Sequence, residues 1–404
     1  MGSMRKVLVL DANQRSALAI IRSLGIHGLY VVAGDSLANP LGAASRYAAA
    51  SVQYPDPATS PGAFINEVIA IVRRLTIDTV IPATDLTTML LVSQPNLAKI
   101  TNLAAPPAAS YEALTDKARL VELARTLDVP TPLTRIGETP AAVMDAANTI
   151  GFPVVLKPAR SRYLKADRIV STRVQIVNGP AALDEVLRCL GWLKDIPCLV
   201  QRFVPGYGMG IFSLCGTSGP VAWFAHRRIR EKPPSGGVSV LSESTPIAPL
   251  MQSAAQKLLS VVDWRGVAMV EFRVADDGTP YLMEVNGRFW GSLQLAIDCG
   301  VDFPWLLYQI THDLPLPQQE PYAIARRLRW LLGDLDSLLI SLRQTPSTAG
   351  PKARALSAFV RSFADRSCRQ EIFRWYDPHP GFREMAHWLS ALLPLRDSRS
   401  DDMR

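Results

Sequence analysis

Glu271, Glu284, Asn286 and Arg288 lie on two apolar stretches, Met269–Val274 and Tyr281–Val285, and just beyond, with an Asp276-Asp277-Gly278 turn between them. Side chains alternate faces along a strand, so Glu284, Asn286 and Arg288 project together while Val285 points away. Antiparallel pairing through the turn brings Glu271 to the same face. Two carboxylates and an amide carbonyl are hard oxygen donors, suited to Mg²⁺ (or Mn²⁺) that also binds triphosphate oxygens. An arginine one strand step further on can neutralise a transferring phosphoryl group. Charge set into a hairpin of Val, Leu, Met and Phe must be paired or metal-bound. A solvated strand face of alternating polarity is the plainer alternative.

The elements around this hairpin carry further charge. Thr115-Asp116-Lys117 opens a helix, and Phe152–Lys157-Pro158 reads as a short buried strand ending in a lysine. Each lysine is a compact point charge that can meet phosphate oxygens; each alone could equally be an exposed side chain. From Phe224 a strand rich in arginine (Arg227, Arg228, Arg230) runs into Pro233-Pro234 and then Ser235-Gly236-Gly237. Amides around such glycines can form an anion nest, although a surface hairpin with solvated arginines has the same pattern. His226, flanked by arginines that disfavour its protonation, reads as structural.

These residues resemble the ATP-grasp superfamily, and most closely its biotin carboxylase and carbamoyl-phosphate synthetase branch with the related carboxylate–amine ligases. Glu271 with Glu284-Val-Asn286-Gly-Arg288 is similar to that family's metal signature. Lys117 and Lys157 resemble its two phosphate lysines. Leu199-Val-Gln201-Arg202-Phe203-Val204-Pro-Gly206 is similar to the hinge whose backbone holds adenine. Together these pieces span about residues 105 to 300. Two departures stand out. Gln201 sits where many relatives carry Glu, and an amide can still both accept and donate. After Lys157, where many relatives have a glycine run, the chain reads Ala159-Arg160-Ser161-Arg162-Tyr163-Leu164-Lys165. That basic loop clamps the triphosphate, binds an anionic acceptor, or is a solvated turn. By the resemblance, the Ser235–Gly237 loop with Arg227 or Arg230 is expected to cover the substrate carboxylate or acyl phosphate. Trp290 and Ser292 are candidates to line the acceptor pocket, and Phe289 to pack in the core.

The organisation fits that reading. The 404 residues, 48% hydrophobic and 20% charged, predict two or three domains. Strands at 4–10, 29–33 and 79–82 alternate with helices at 14–24 and 64–75, which argues for a parallel sheet. Ligands in such sheets sit beyond the carboxyl ends of the strands. Asp11, Asn13, Asp35, Thr84 and Asp85 all lie there, as substrate contacts or as caps and turns. The fold expected is α/β and α+β. A Rossmann-like domain (1–105) precedes a two-subdomain ATP-grasp unit (106–314) and a mostly helical C-terminal region (315–404). Helices are expected there at 324–333, 353–364 and 382–393. The last has Phe382, Met385, Ala386, Leu389, Leu392 and Leu393 at helical spacing and packs on its own domain, on a homodimer partner, or on a membrane surface. The tail 399–404 is expected to lack structure.

A net charge of +7, dispersed and without interleaved aromatics, gives no nucleic-acid groove. No apolar run approaches the ~18 residues of a membrane span. Arg5 and Lys6 lead straight into a strand-like segment, unlike a signal peptide, and Met4 is expected to be the natural start. Five cysteines without a Cys-x-x-Cys pair suggest free thiols in a reducing cytoplasm. The resemblance then implies a cytoplasmic ligase using ATP and Mg²⁺ (or Mn²⁺). Lys117, Lys157 and Gln201–Val204 hold ATP, and Glu271, Glu284 and Asn286 hold metal. Arg288 stabilises the transferring group, with Lys157, Arg227 and Arg230 assisting. Ser235, Gly236, Gly237, Thr84, Asp85 and Arg160 are candidate substrate contacts. A small-molecule carboxylate becomes an acyl phosphate, and an amine attacks it. The alternatives are a bicarbonate-dependent carboxylase and a non-catalytic nucleotide-binding protein.

Overall fold

The computed structural model describes residues 5–392 except 167, 235 and 345–348, with only the backbone of 344, 349–351 and 392. Strands β1 (Lys6–Val9), β2 (Tyr30–Asp35), β3 (Ala50–Gln53), β4 (Thr79–Ile81) and β5 (Asn102–Leu103) form a parallel sheet in the order β3-β2-β1-β4-β5. Helices cover both faces, so the central strands read as unbroken apolar runs, and Val7, Leu8 and Val9 are fully buried. The first helix runs Arg15–Ile26 and passes through Gly25 instead of stopping there. A side chain at that position would strike Tyr47, with a Cβ only 2.6 Å from the Tyr47 Cβ. Gly25 therefore reflects packing and not a helix stop.

Next come β6 (Thr134–Gly137), β7 (Val154–Pro158), β8 (Arg162–Lys165), β9 (Arg168–Ser171), β10 (Gln175–Val177) and β11 (Cys198–Arg202). An antiparallel sheet of order β10-β7-β11-β6 packs on helices Pro140–Ile150 and Pro180–Cys189. The basic segment after Lys157 becomes a hairpin, β8–β9, that leans on the first unit through Ile169 N–H donating to Ala58 O at 3.1 Å.

The largest sheet contains β12 (Tyr207–Gly216), β13 (Gly219–Lys232), β14 (Val238–Ser244), β15 (Gly266–Val274), β16 (Pro280–Asn286), β17 (Arg327–Arg329) and β18 (Cys368–Gln370), in the order β16-β15-β12-β13-β14-β17-β18. The C-terminal region is mostly helical, as expected, and also contributes two short strands to this sheet. A strand, not a helix, occupies 327–329, because Leu328 and Arg329 are buried along β14. Helices follow at Leu331–Gln344, Ala349–Ala364 and His379–Leu392. The C-terminal chain is also bonded to the first unit. Arg22, itself buried, donates to the buried Asp377 carboxylate at 2.8 Å and to Ile372 O at 2.7 Å. Phe382, Met385 and Leu389 stay substantially exposed along the last helix. The segments 1–4 and 399–404 lie outside the described residues. No described helix is long and apolar enough to cross a membrane, and the five cysteines are free thiols.

Candidate active site

The β15–β16 pairing puts Glu271 directly opposite Glu284 and Met269 opposite Asn286. A bulge at Met283 follows, so Met283 and Glu284 both face the same cleft despite being consecutive. That cleft, of about 800 Å³, runs between the β6–β11 sheet and the large sheet. Lys117, Lys157, Gln201–Val204, Arg228, Glu271, Glu284, Asn286 and Arg288 line it.

At the lysine end, Asp116 caps the helix Lys117–Thr126 by accepting from the amides of Ala118 (3.0 Å) and Arg119 (3.2 Å). This fixes Lys117 at the first turn, where its Nζ donates to Ser161 Oγ at 3.0 Å and stands 3.3 Å from Glu284. Lys157 follows Leu156 on β7 and comes from the opposite wall, near Met283 Sδ. Burial lowers the Lys157 pKa to about 8 against the pull of Glu284, and Lys117 adds to the lowering. For Glu284, burial favours the neutral acid, but Lys117, the Asn286 amide, Lys157 and Arg288 outweigh it and bring it down to about 2. Asn286 Nδ2 donates to Glu284 at 3.0 Å, and its Oδ1 accepts from Arg288 at 3.0 Å.

Arg288 is oriented from the first unit. Its Nε and Nη2 donate to Asp85 at 3.1 and 3.0 Å. Asp85 opens the helix Asp85–Val92 immediately after β4, and Thr84 caps that helix by accepting from Thr87 N–H. Thr84 thus serves as a cap, while Asp85 holds the arginine. Asp11, at the end of β1, accepts from Ala83 N–H at 3.0 Å and from Thr87, and burial raises it to about 6. Asp35 accepts from the amides of Asn13 and Leu37. Asp11, Asn13 and Asp35 are thus engaged within their own unit.

At the other end of the cleft, Gln201 is buried and donates to Thr134 Oγ1 at 2.9 Å. The Arg202 and Phe203 amides are taken by Leu133 and Pro153 carbonyls, whereas Val204 N–H has no partner among the described residues.

The arginine hairpin departs from expectation. Arg227 pairs with Glu243 at 2.6 Å, and Arg230 with Asp334 through two bonds of 2.7 and 2.6 Å; neither lines the cleft. β13 and β14 lose register around Ile229, so the strand turns Arg228 inward and Arg230 outward. Arg228 faces the cleft instead and donates to Glu271 at 2.5 Å and to Glu231 at 3.1 Å. Burial opposes its charge, but Glu271 and Glu231 together keep it firmly protonated. Gly236 and Gly237 do border the cleft. Gly236 has a φ of +127°, and a Cβ on Gly237 would come within 2.2 Å of Lys232 O. Both positions require glycine. Ser235 lies outside the described residues. Arg160 bonds Asp116 at 3.1 Å and borders a smaller neighbouring pocket, not the main cleft. Trp290 and Ser292 line the cleft, while Phe289 is core. Ser292 Oγ sits 3.0 Å from His226, which burial and then Arg228 bring down to about 3, so it is neutral. The sequence reading missed Arg228, Glu231 and Arg15, all of which border the cleft. The available signal was Gly208-Met-Gly210, two glycines on one face of β12 beside the arginine strand.

Among the described residues no cluster of three or more His, Cys, Asp or Glu side chains could hold a metal unaided. The donor set nonetheless suits a hard divalent cation: two carboxylates share a strand register beside an amide, with room for a ligand's oxygens to complete the shell.

Comparison with known proteins supports this architecture. A family model described as "ATP-grasp in the biosynthetic pathway with Ter operon" matches residues 195–331. A curated relative, the uncharacterized protein y4rH of Sinorhizobium fredii (strain NBRC 101917 / NGR234), is 26% identical over 329 residues. The match covers 73% of this chain and 62% of that protein, so the chain spans less than two thirds of its relative. Among solved structures, biotin carboxylase from Campylobacter jejuni superposes with a TM-score of 0.63 at 16% identity over 80% of this chain and 74% of its own. An N5-carboxyaminoimidazole ribonucleotide synthetase gives 0.62 at 15% identity over 80% of both chains. The L-amino acid ligase of Bacillus licheniformis gives 0.58 at 18% over 76% and 73%. At these identities the likeness is one of fold, and that fold is ATP-grasp.

Proposed function

We propose that the cleft binds ATP with Mg²⁺ and activates a carboxylate as an acyl phosphate for attack by an amine. The observation that carries this reading is the register match of Glu271 and Glu284 on the cleft floor, flanked by Lys117, Lys157 and Arg288. Solved structures of similar fold are described with ADP, and one carboxylase domain with MgADP and bicarbonate. Glu271, Glu284 and the Asn286 carbonyl would hold the metal, which supplies charge neutralisation between phosphate groups when bound.

Lys117 and Lys157 approach from two walls and set the triphosphate between them. The Val204 amide offers a donor to the adenine edge beside Gln201. Arg288, held by Asp85, places a fixed positive charge near the transferring group. A carboxylate oxygen attacks the γ-phosphorus as the bond to the β-phosphate oxygen breaks, releasing ADP. The amine then adds to the acyl carbon, loses a proton, and phosphate leaves. The work of the chain's residues is positioning and charge compensation.

Mg-ATP with a library of carboxylic acids and hydroxylamine tests this. ADP release with hydroxamate from one acid class is the expected result. ADP release that needs bicarbonate and gives no hydroxamate would assign a carboxylase, in line with the carboxylases of similar fold. ATP binding without ADP release across the panel would leave a nucleotide-binding protein.

A further inference from the structure

Each acidic group near the reacting centre already has a cation. Lys117 stands at Glu284, Arg288 at Asp85 and Arg228 at Glu271. The third pair is built differently from the others. Glu271 lies on β15 and Arg228 on β13, with β12 between them. Strands two apart are separated by roughly 10 Å, so the arginine must lie flat across β12. It can do so because Gly208, two residues before the Gly210 that pairs with Glu271, has no side chain on that face. A Cβ on Gly208 would stand 3.3 Å from Arg228 Cδ, so the glycine leaves the lane the side chain occupies. Through its other terminal nitrogen, Nη1, Arg228 also donates to Glu231 (3.1 Å) and Gly237 O (3.3 Å), both on the β13–β14 hairpin.

The pairing conflicts with metal binding at the same carboxylate. Arg228 Nη2 is 2.5 Å from Glu271 Oε2, on a carboxylate that a divalent cation would also use. Two positive groups that close together repel strongly in a half-buried cleft. Glu271 without either would be a buried charge lacking a partner, which is costly. At Oε2 the two cations therefore compete for one place. Glu231 and Gly237 give the displaced guanidinium a tether inside the cleft.

Resting on the nucleotide reading above, we propose that Arg228 is a displaceable counter-ion. It neutralises Glu271 in the nucleotide-free protein. The divalent cation that arrives with a nucleoside triphosphate takes its place, and the freed guanidinium turns to the triphosphate oxygens.

Mn²⁺ binding to the full chain, followed by electron paramagnetic resonance, tests this for wild type, Arg228→Met and Arg228→Lys. With Mn²⁺ alone, Arg228→Met should bind about fivefold more tightly or better, the size of an ordinary coupling. Arg228→Lys should stay near wild type. With Mn²⁺ and a non-hydrolysable ATP analogue the order should reverse, Arg228→Met becoming the weaker. Unchanged or weaker binding of bare Mn²⁺ by a folded Arg228→Met would overturn the proposal, and so would the absence of the reversal. If Arg228→Met melts within the assay range, Arg228→Gln carries the same comparison. Should wild type bind Mn²⁺ no better with the analogue than without it, the nucleotide reading fails. The bare-Mn²⁺ comparison still judges Arg228 alone.

Discussion

Two hairpins of the large sheet carry charged side chains at strand spacing, and they behave differently. In β15–β16, Glu271, Glu284 and Asn286 share one face, as alternation predicts. In β13–β14, Arg228 and Arg230 should share a face and do not. Both hairpins contain a register shift. In β15–β16 it falls at Met283, before Glu284 and Asn286, so the phase of those two relative to one another is kept. In β13–β14 it falls at Ile229, between the two arginines, and reverses the second. Alternation is therefore reliable only between residues with no bulge separating them. The outer arginines are consequently committed to carboxylates on β14 and on the C-terminal helices.

The largest test of this contrast is Glu284→Gln. Removing one carboxylate from the opposed pair should cut ATP-dependent ADP release by about 10²–10³-fold or more. The circular dichroism spectrum should stay that of the wild type. Retained turnover would take the hairpin out of the active site.

The lysine facing that hairpin gives a pH-dependent test. Lys157 has its pKa lowered from 10.5 to about 8 by burial, so it loses charge in the free protein as pH rises through 8. A bound triphosphate favours the charged form. ATP binding above pH 8 should therefore take up a proton, and affinity should fall by up to about tenfold per pH unit. Calorimetry in buffers of different ionisation enthalpy would show it. For stability the sign is opposite. The cost of burying charged Lys157 is present below pH 8 and is relieved between 8 and 10.5, where the unfolded chain binds the extra proton. Equal enthalpies in both buffers at pH 8.5 would show that Lys157 does not meet the phosphates.

Much of the fold was legible because its signals are local. Asp116 before a helix, apolar runs in β1 and β2, and alternation in β16 each depend on a few neighbouring residues. What the sequence hid depends on partners far along the chain. Arg329 is buried with its guanidinium over Phe359 and Phe363 of a later helix, so β17 looked helical when read alone. The first helix was expected only to 24, because the packing of Tyr47 against Gly25 cannot be seen in the sequence. The same holds for Arg228 and Arg230, whose carboxylate partners Glu271 and Asp334 lie on other elements.

Arg230→Ala should separate the two hairpins more finely. Its two bonds to the buried Asp334 would go, leaving Arg329 as that carboxylate's remaining guanidinium partner. A loss of about 1.5–3 kcal/mol in urea unfolding is expected, as for hydrogen bonds to a charged group. ADP release per folded molecule should not change. A fall in kcat with stability intact would return Arg230 to the cleft.

The smallest effect concerns Thr84, which sequence reasoning left evenly divided between cap and substrate contact. Its Oγ1 accepts from Thr87 N–H at 3.3 Å and sits 3.1 Å from Thr87 Oγ1. Thr84→Val keeps the shape and removes the acceptor, so the first turn of the helix Asp85–Val92 loses its cap. The expected cost is about 1 kcal/mol. Thr87 still donates to Asp11, which limits any wider rearrangement. Asp85 begins that helix and holds Arg288, so a loosened first turn should show in kcat more than in KM for the acid. A substrate contact predicts the reverse, a raised KM with stability unchanged. Unfolding and steady-state kinetics on this one variant therefore decide between the two roles.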